Sequence, residues 1–395
     1  MHEIEEHYYK INRNFLKMLG LWPYQQSLFA RLRKVLFIGI LFGYIVAQFL
    51  SFVTMQFSAN LLLKILSFVS PTLYVTMKYC LFVVQTDNVK RLLEQIRNDW
   101  ELVKDKLEID IIKKYAGSVR FISMCALVFC HCDTLCYITL QFLPLILDVI
   151  LPLNESRSLK LIVITEYFVN REKYLWLMLL HEIVAIYLRV ITICCTTTTI
   201  MMYILHACAL FKVASYRMEN AIQEDMLAMC NPVQEYLLYQ KIASVVIIHR
   251  RAIAYVELWI SSFTMVFTIL IVIGISSISF SLFHLLQVIT NTSNDYTDMY
   301  AAFISVVAQF TYMFIINYCG EIVQNHGMQV FEATYNGLWY AAPLRAQKLI
   351  LFVMQRAIVK VNLTFGNIFI LSLEGFVTLA SKAVSYFTVI YSTRQ

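Results

Sequence analysis

The chain of 395 residues is 59% apolar, carries 15% charged residues and has a net charge of +6, with a mean hydropathy of +0.64. That balance excludes an ordinary soluble domain. Its repeated apolar runs exceed the roughly 20 residues a helix needs to cross a bilayer, which predicts an all-α polytopic membrane protein rather than an alternating-strand barrel.

Residues 1–34 begin MHEIEEHYYKINRN, charged throughout and without an early apolar core. They predict a cytoplasmic N-terminal segment, not a cleavable signal peptide. Seven spans follow, at 35–57, 65–84, 119–151, 174–211, 257–289, 299–319 and 365–391. The third, fourth and fifth are longer than the bilayer core at about 1.5 Å per residue, so they are expected to tilt or to project beyond it as helices. Between spans two and three, Leu92, Leu93, Ile96, Trp100, Val103 and Leu107 recur at helical spacing among charges. Residues 220–255 read similarly, with an interruption at Pro232. These stretches predict that helices two to five extend into a cytoplasmic anchor region. The chain then divides into 1–34, the cytoplasmic N-terminus; 35–319, the first six helices with their cytoplasmic extensions; 320–364, a cytoplasmic anchor segment; and 365–395, the seventh helix with a short extracellular tail.

Orientation follows from Lys and Arg, which mark the cytoplasmic side. With the N-terminus inside, the inner segments hold 23 basic residues and the outer segments 6. Seven crossings then place the C-terminus outside. Two glycosylation sequons, at Asn154 and Asn291, fall on outer loops. A third, at Asn362, falls inside, where it is expected to go unused. The ten cysteines show no CxxC spacing and mostly lie in apolar runs, where a thiol acts as a small apolar group.

No catalytic constellation emerges, so the chain is not read as an enzyme, and no metal or cofactor is expected. Cys130-His131-Cys132-Asp133 are adjacent on a helix, and neighbours pointing about 100° apart cannot converge on one metal. His181-Glu182 lacks the second histidine of a zinc-protease helix. Ionisable groups within spans are costly in lipid and mark either internal pairs or a water-filled path or ligand pocket. Asp133, His181, Glu182, Arg189, Glu374 and Lys382 qualify, and Lys78 lies deep enough in span two to snorkel or pair. Phe68, Tyr74, Tyr137, Tyr187, Phe283, Tyr300 and Phe303 supply aromatic surface in the outer halves of the spans, for helix packing, an interfacial belt or an apolar pocket. Pro71 is expected to kink span two. Cys194-Cys195-Thr196-Thr197-Thr198-Thr199 is a small-residue stripe suited to close helix packing. Span seven carries Gly366, Glu374-Gly375 and Lys382 among apolar residues. That mixture suits a pore wall shared between subunits, with Val389 and Thr393 on one face as a dewetting constriction.

The C-terminal region carries a resemblance. Tyr335, Trp339, Arg345 and Leu349 precede the last span, Ser372-Leu373 and Phe376 make a Ser-Leu-x-x-Phe pattern, and Ser385-Tyr386-Phe387-Thr388-Val389-Ile390 follow. Together they resemble the C-terminal signature of an insect odorant receptor, with Ala383-Val384 where the family often has Ser-Tyr. Residues 90–100, ending Asn98-Asp99-Trp100, resemble the segment after span two in hymenopteran members. The resemblance implies a ligand-gated, poorly selective cation channel of four subunits, with span seven of each around a central pore. It also implies a shared coreceptor as partner in a heterotetramer, with this chain as the odorant-tuning subunit, since it lacks the coreceptor's long cytoplasmic insertion. The implied site is the membrane of a sensory neuron dendrite. The gate then maps to Val389, Ser392 and Thr393, and the pocket for a small volatile molecule to Tyr74, Val75, Cys136, Tyr137, Met178, His181, Tyr300 and Phe303.

Three other protein classes share part of this pattern. A gustatory receptor shares the architecture but usually ends in a Thr-Tyr…Gln-Phe pattern, whereas this chain ends YSTRQ. A G-protein-coupled receptor requires the opposite orientation and an Asn-Pro-x-x-Tyr in its last span, which here contains no proline. A secondary transporter predicts paired halves with broken helices, and no internal repeat is visible. The orientation is checked by an epitope tag after Gln395. It is expected to be labelled by antibody on unpermeabilised cells, and labelling only after permeabilisation would reverse the topology.

Overall fold

Apolar segments that cross lipid must satisfy every backbone N–H and C=O internally, which favours helices. The computed structural model describes residues 7–25, 27–151, 157, 159, 161–222, 232–290, 296–366 and 368–393, and it is helical almost throughout. In chain order the elements are α1 (Lys10–Met18), α2 (Leu28–Thr54), α3 (Ala59–Val84), α4 (Thr86–Leu102), α5 (Lys106–Ile150), α6 (Arg171–Glu219), α7 (Pro232–Thr290), α8 (Tyr296–Tyr335), α9 (Leu344–Ala357), β1 (Thr364–Phe365), β2 (Phe369–Ile370) and α10 (Leu373–Ser392). Seven of these, α2, α3, α5, α6, α7, α8 and α10, are long and apolar enough to cross a membrane. The chain is a multi-pass, seven-helix membrane protein. The sequons at Asn154 and Asn291 lie outside the described residues.

Helix α6 is the axis of the bundle. Every residue from 198 to 211 is buried, as expected where a helix is surrounded by others. The threonine stripe sits here without orphaned hydroxyls: Thr196, Thr197, Thr198 and Thr199 each donate to a backbone carbonyl three or four residues earlier. In contrast, Phe42, Val46, Phe121, Val128, Met265 and Val272 on other spans are exposed, forming the apolar surface that lipid would cover.

The structure moves several predicted boundaries. The periodic stretch 87–115 is two helices, because the chain breaks at residues 103–105 and Asp105 caps α5 by accepting from Leu107 N at 3.4 Å. Helix α8 runs unbroken across position 320, so the segment 320–364 begins inside a helix. The last helix starts at Leu373, not at 365. Thr364 pairs with Ile370 and Phe365 with Phe369 in a small antiparallel hairpin, turning at Gly366 with φ of +59°. Ser372 then caps α10, its hydroxyl accepting from Gly375 N at 3.0 Å. Hydropathy alone merges this apolar hairpin with the helix that follows it.

The hairpin wedges into the bundle. Phe365 has no exposure, stacks on Phe267 at 5.0 Å and meets Trp259 edge-on. A Cβ at Gly320 would collide with the Leu371 carbonyl, so the backbone leading into α10 lies directly on α8. Gln324 donates to that carbonyl at 3.2 Å, and Glu321 accepts from Leu373 N at 3.2 Å.

At the end where basic residues concentrate, Asp99 of α4 is fully buried. It lies 2.8 Å from His206 Nε2 of α6 and also accepts from Arg251 Nε of α7. Glu108 of α5 takes a bidentate pair from Arg217 of α6, at 2.6 and 2.8 Å. Removing one partner from a buried charge cluster strands the others. Asp99→Ala is therefore expected to cost about 3–5 kcal/mol and to lower the melting midpoint of the detergent-solubilised protein in fluorescence-detected size exclusion. A midpoint equal to wild type would show that the cluster is not structurally required.

Candidate functional site

Four of the spans converge on a buried amine. Lys78 of α3 has no solvent exposure. Its Nζ donates to Tyr312 Oη of α8 at 2.6 Å and to Thr197 Oγ1 of α6 at 3.3 Å, and it lies 4.8 Å from the Tyr312 ring centroid. Tyr74, one turn earlier on α3, donates to the same Tyr312 hydroxyl at 3.2 Å. The Tyr74 ring also covers Gly274 of α7, where a Cβ would stand 3.6 Å from it. No carboxylate lies within ion-pair distance of Lys78 among the described residues. An ammonium buried without a counter-ion is costly, and the aromatic face and hydroxyls offset only part of that cost.

A second polar centre lies between α2, α5, α6 and the segment leading into α6. Glu182 is 1% exposed and its Oε1 accepts from Tyr137 Oη of α5 and from Val163 N at 3.3 Å. His181 Nδ1 lies 2.6 Å from Tyr167 Oη, and the Tyr44 ring of α2 meets the imidazole edge-on at 5.9 Å. The segment is tied down by Glu166, whose N–H donates to Ala47 O at 2.8 Å and whose Oε2 accepts from Thr54 at 3.1 Å. Met178 is buried below, with Leu161, Leu179 and Phe142 around it. Among the described residues, Glu182 Oε2, both amide atoms of Gln48 and Ser51 Oγ are buried without a protein partner, and buried polar atoms of this kind are normally satisfied by water or a bound molecule.

The predicted pocket residues therefore separate. Tyr74 lies at the α3–α8 centre, Tyr137, Met178 and His181 lie at the α5–α6 centre, and Val75 is buried beside Tyr74 in the chain. Cys136 is exposed on α5, as are Tyr300 and Phe303 on α8, at 54% and 55%, and the structure does not bring them to either centre. A lipid-facing surface is as apolar as a bundle-facing one, so the residue types alone do not distinguish the two faces. Neither Asp133 nor Glu182 forms an ion pair with Arg189 among the described residues. Lys78 was visible in sequence as an intramembrane charge. Its partner Tyr312 was not, because 234 residues separate them. Cys130 is buried whereas His131 and Cys132 are exposed, and among the described residues no group of three His, Cys, Asp or Glu side chains could hold a metal ion.

Helix α10 is the least enclosed span. One face packs on α7 and α8 through Leu379 and Ala383, with Ser279 Oγ donating to Ala383 O at 2.9 Å. On the opposite face Glu374, Thr378, Ser381, Ser385, Thr388 and Ser392 are all exposed. At 3.6 residues per turn these six lie within about 40° of one line along the helix. Thr378, Ser385, Thr388 and Ser392 return their hydroxyl hydrogens to backbone carbonyls. Val389, 58% exposed, stands on the shoulder of this polar stripe, with Thr393 one turn beyond; Thr393 N donates to Val389 O at 3.1 Å.

A sequence profile described as 7tm Odorant receptor matches residues 58–384. The fold is similar to the insect olfactory receptor OR5 from Machilis hrabei in complex with eugenol, with a TM-score of 0.77 and 15% identity over 99% of each chain. A second structure of that receptor matches with a TM-score of 0.72 and 14% identity over 98% of each chain. No curated protein matches the sequence.

The buried amine gives a double-variant prediction. Tyr312→Phe leaves Lys78 short of its nearest acceptor and is expected to cost about 1–3 kcal/mol of stability. Adding Lys78→Met removes the stranded charge and is expected to restore most of that loss. Thermal midpoints of the four proteins measure the coupling, and purely additive losses would mean the two side chains act independently.

Proposed function

This chain belongs to the 7tm Odorant receptor family, and from that premise we propose that it is the odorant-tuning subunit of a ligand-gated, non-selective cation channel. It works in a heterotetramer with the family's shared coreceptor, in the plasma membrane of a sensory neuron. The N-terminus is cytoplasmic and the C-terminus extracellular, as the basic-residue count favours. A small volatile organic molecule binds among α3, α5, α6 and α8, where Tyr74, Val75, Tyr137, Met178 and His181 offer apolar and aromatic walls. Burial contributes roughly 0.8 kcal/mol per CH₂ before the costs of binding. Lys78 with Tyr312, and Glu182 with Tyr137, are the polar groups that would orient an oxygenated ligand.

The observation that carries the channel reading is the polar stripe of α10. A helix apolar enough to span a membrane, packed on one face and hydroxyl-lined on the other, suits a wall between protein and water better than one between protein and lipid. Four such helices around an axis would enclose a path with Glu374 at one mouth, a charge that favours cations. At the other mouth, Val389 with Ser392 and Thr393 would form the constriction. Ligand binding opens the path only through higher affinity for the open arrangement. A gustatory receptor of the same architecture is the alternative for the ligand, though the family match argues against it.

Current recording with the coreceptor present tests the gate. Val389→Trp places a bulky ring at the constriction and is expected to reduce odorant-evoked current at least about tenfold while surface expression holds. Wild-type current from this variant would remove Val389 from the gate. A panel of volatiles that evokes no current in the wild-type complex would overturn the reading as a whole.

A further inference from the structure

Where α7 meets α9, at the basic end of the bundle, a groove of about 530 Å³ is lined by Arg250, Arg251 and Arg356. Arg251 is already engaged by the buried Asp99 carboxylate, so it is fixed in place and largely neutralised. Arg250 and Arg356 are exposed, and no ion pair or hydrogen bond among the described residues engages either. Among the described residues lining the groove, the one carboxylate is Glu257. Two free guanidinium groups therefore face one acidic side chain, an arrangement that attracts an anion.

The rest of the lining narrows the anion's class. Ile247, 64% exposed, and Ile253 form an apolar wall beside the charges. Exposed Phe352 stands one turn before Arg356 on α9, and exposed Ile358 follows at the end of that helix. The groove also lies where the apolar run of α7 begins, with the charged stretch on one side and the membrane-spanning stretch on the other. Guanidinium forks match the oxygens of a phosphate. An adjoining apolar wall adds nothing for a small free anion, but it would accommodate the start of an acyl chain. Basic clusters next to a span are also where anionic lipids of the cytoplasmic leaflet collect.

We propose that this groove binds the phosphate of an anionic phospholipid through Arg250 and Arg356, with Arg251 held by Asp99 as its rigid third side. The inference rests on the membrane orientation proposed above but not on odorant gating. A lipid seated there bridges α7 to α9, and so stabilises the register between the long spanning helix and the short helix that precedes the hairpin and α10.

The test uses the full-length chain purified in neutral detergent and titrated with a fluorescent short-chain phosphatidylinositol, followed by anisotropy. Binding is expected to weaken as salt rises. The Arg250→Gln, Arg356→Gln double variant should lower affinity at least about tenfold, because two charge-assisted contacts are lost. Both side chains are exposed, so the variant should elute as wild type does. The Arg250→Lys, Arg356→Lys pair keeps the charge, and binding between the two extremes supports the assignment. Unchanged affinity in the glutamine pair overturns it. Inorganic phosphate that displaces the lipid at equal concentration overturns the lipid assignment in favour of a free anion. Loss of oligomer in the glutamine pair with lipid binding intact overturns it in favour of a subunit contact. The titration measures no current, so a failure of odorant gating leaves its result standing.

Discussion

Asp99 is the constraint on which the arrangement at the basic end depends. A carboxylate with no exposure is tolerable only if it is paired and hydrogen-bonded, and here Arg251 of α7 pairs with it while His206 of α6 lies within hydrogen-bond distance. The requirement reaches across three helices. It ties the short α4 to the buried axis helix α6 and to α7. It also fixes Arg251, one of the residues that line the groove between α7 and α9. Much of this end therefore follows from satisfying one acidic side chain, supplemented by the Glu108–Arg217 pair that joins α5 to α6.

The opposite design applies to α10. The bundle holds it firmly at its start, where Gly320, Glu321 and Gln324 of α8 grip the backbone of residues 371–373, and lightly thereafter. Beyond that root it packs along one face only, through Leu379 and Ala383. Tyr312 lies on the same α8, eight residues or about 12 Å from Gly320 at 1.5 Å per residue. On the function proposed above, a shift in α8 beside Tyr312 would be carried to the root of α10. Rigid helices are good carriers of such shifts because their packing is close to that of a crystal.

Legibility in the sequence followed the physics of each feature. Spans were readable because lipid imposes a length and an apolar composition that few soluble segments share. The N-terminal limit of the last span was not, because the hairpin around Gly366 is as apolar as the helix, and only the turn and the Ser372 cap separate them. Pocket membership was partly readable: Tyr137 and His181 face their polar centre, whereas Cys136, next to Tyr137, faces outward. Adjacent positions on a helix diverge by about 100°, and apolarity marks both lipid-facing and protein-facing surfaces. The polar stripe of α10 was present in the sequence as six residues at helical spacing. It became visible as one surface only when the opposite face was seen packed on α7 and α8.

The sequence by itself determined the class of molecule: seven apolar helices, their loops sorted by charge, and a C-terminal signature that resembles one receptor family. These are properties of composition and local spacing, which lipid reads directly. Only the tertiary structure decided which buried polar groups meet. Lys78 meets Tyr312 across 234 residues, and Tyr137 meets Glu182 across 45. Asp99 joins His206 and Arg251 across 107 and 152. The reason is that a polar side chain in an apolar environment must find a partner somewhere, but its own sequence neighbourhood does not say on which helix that partner lies.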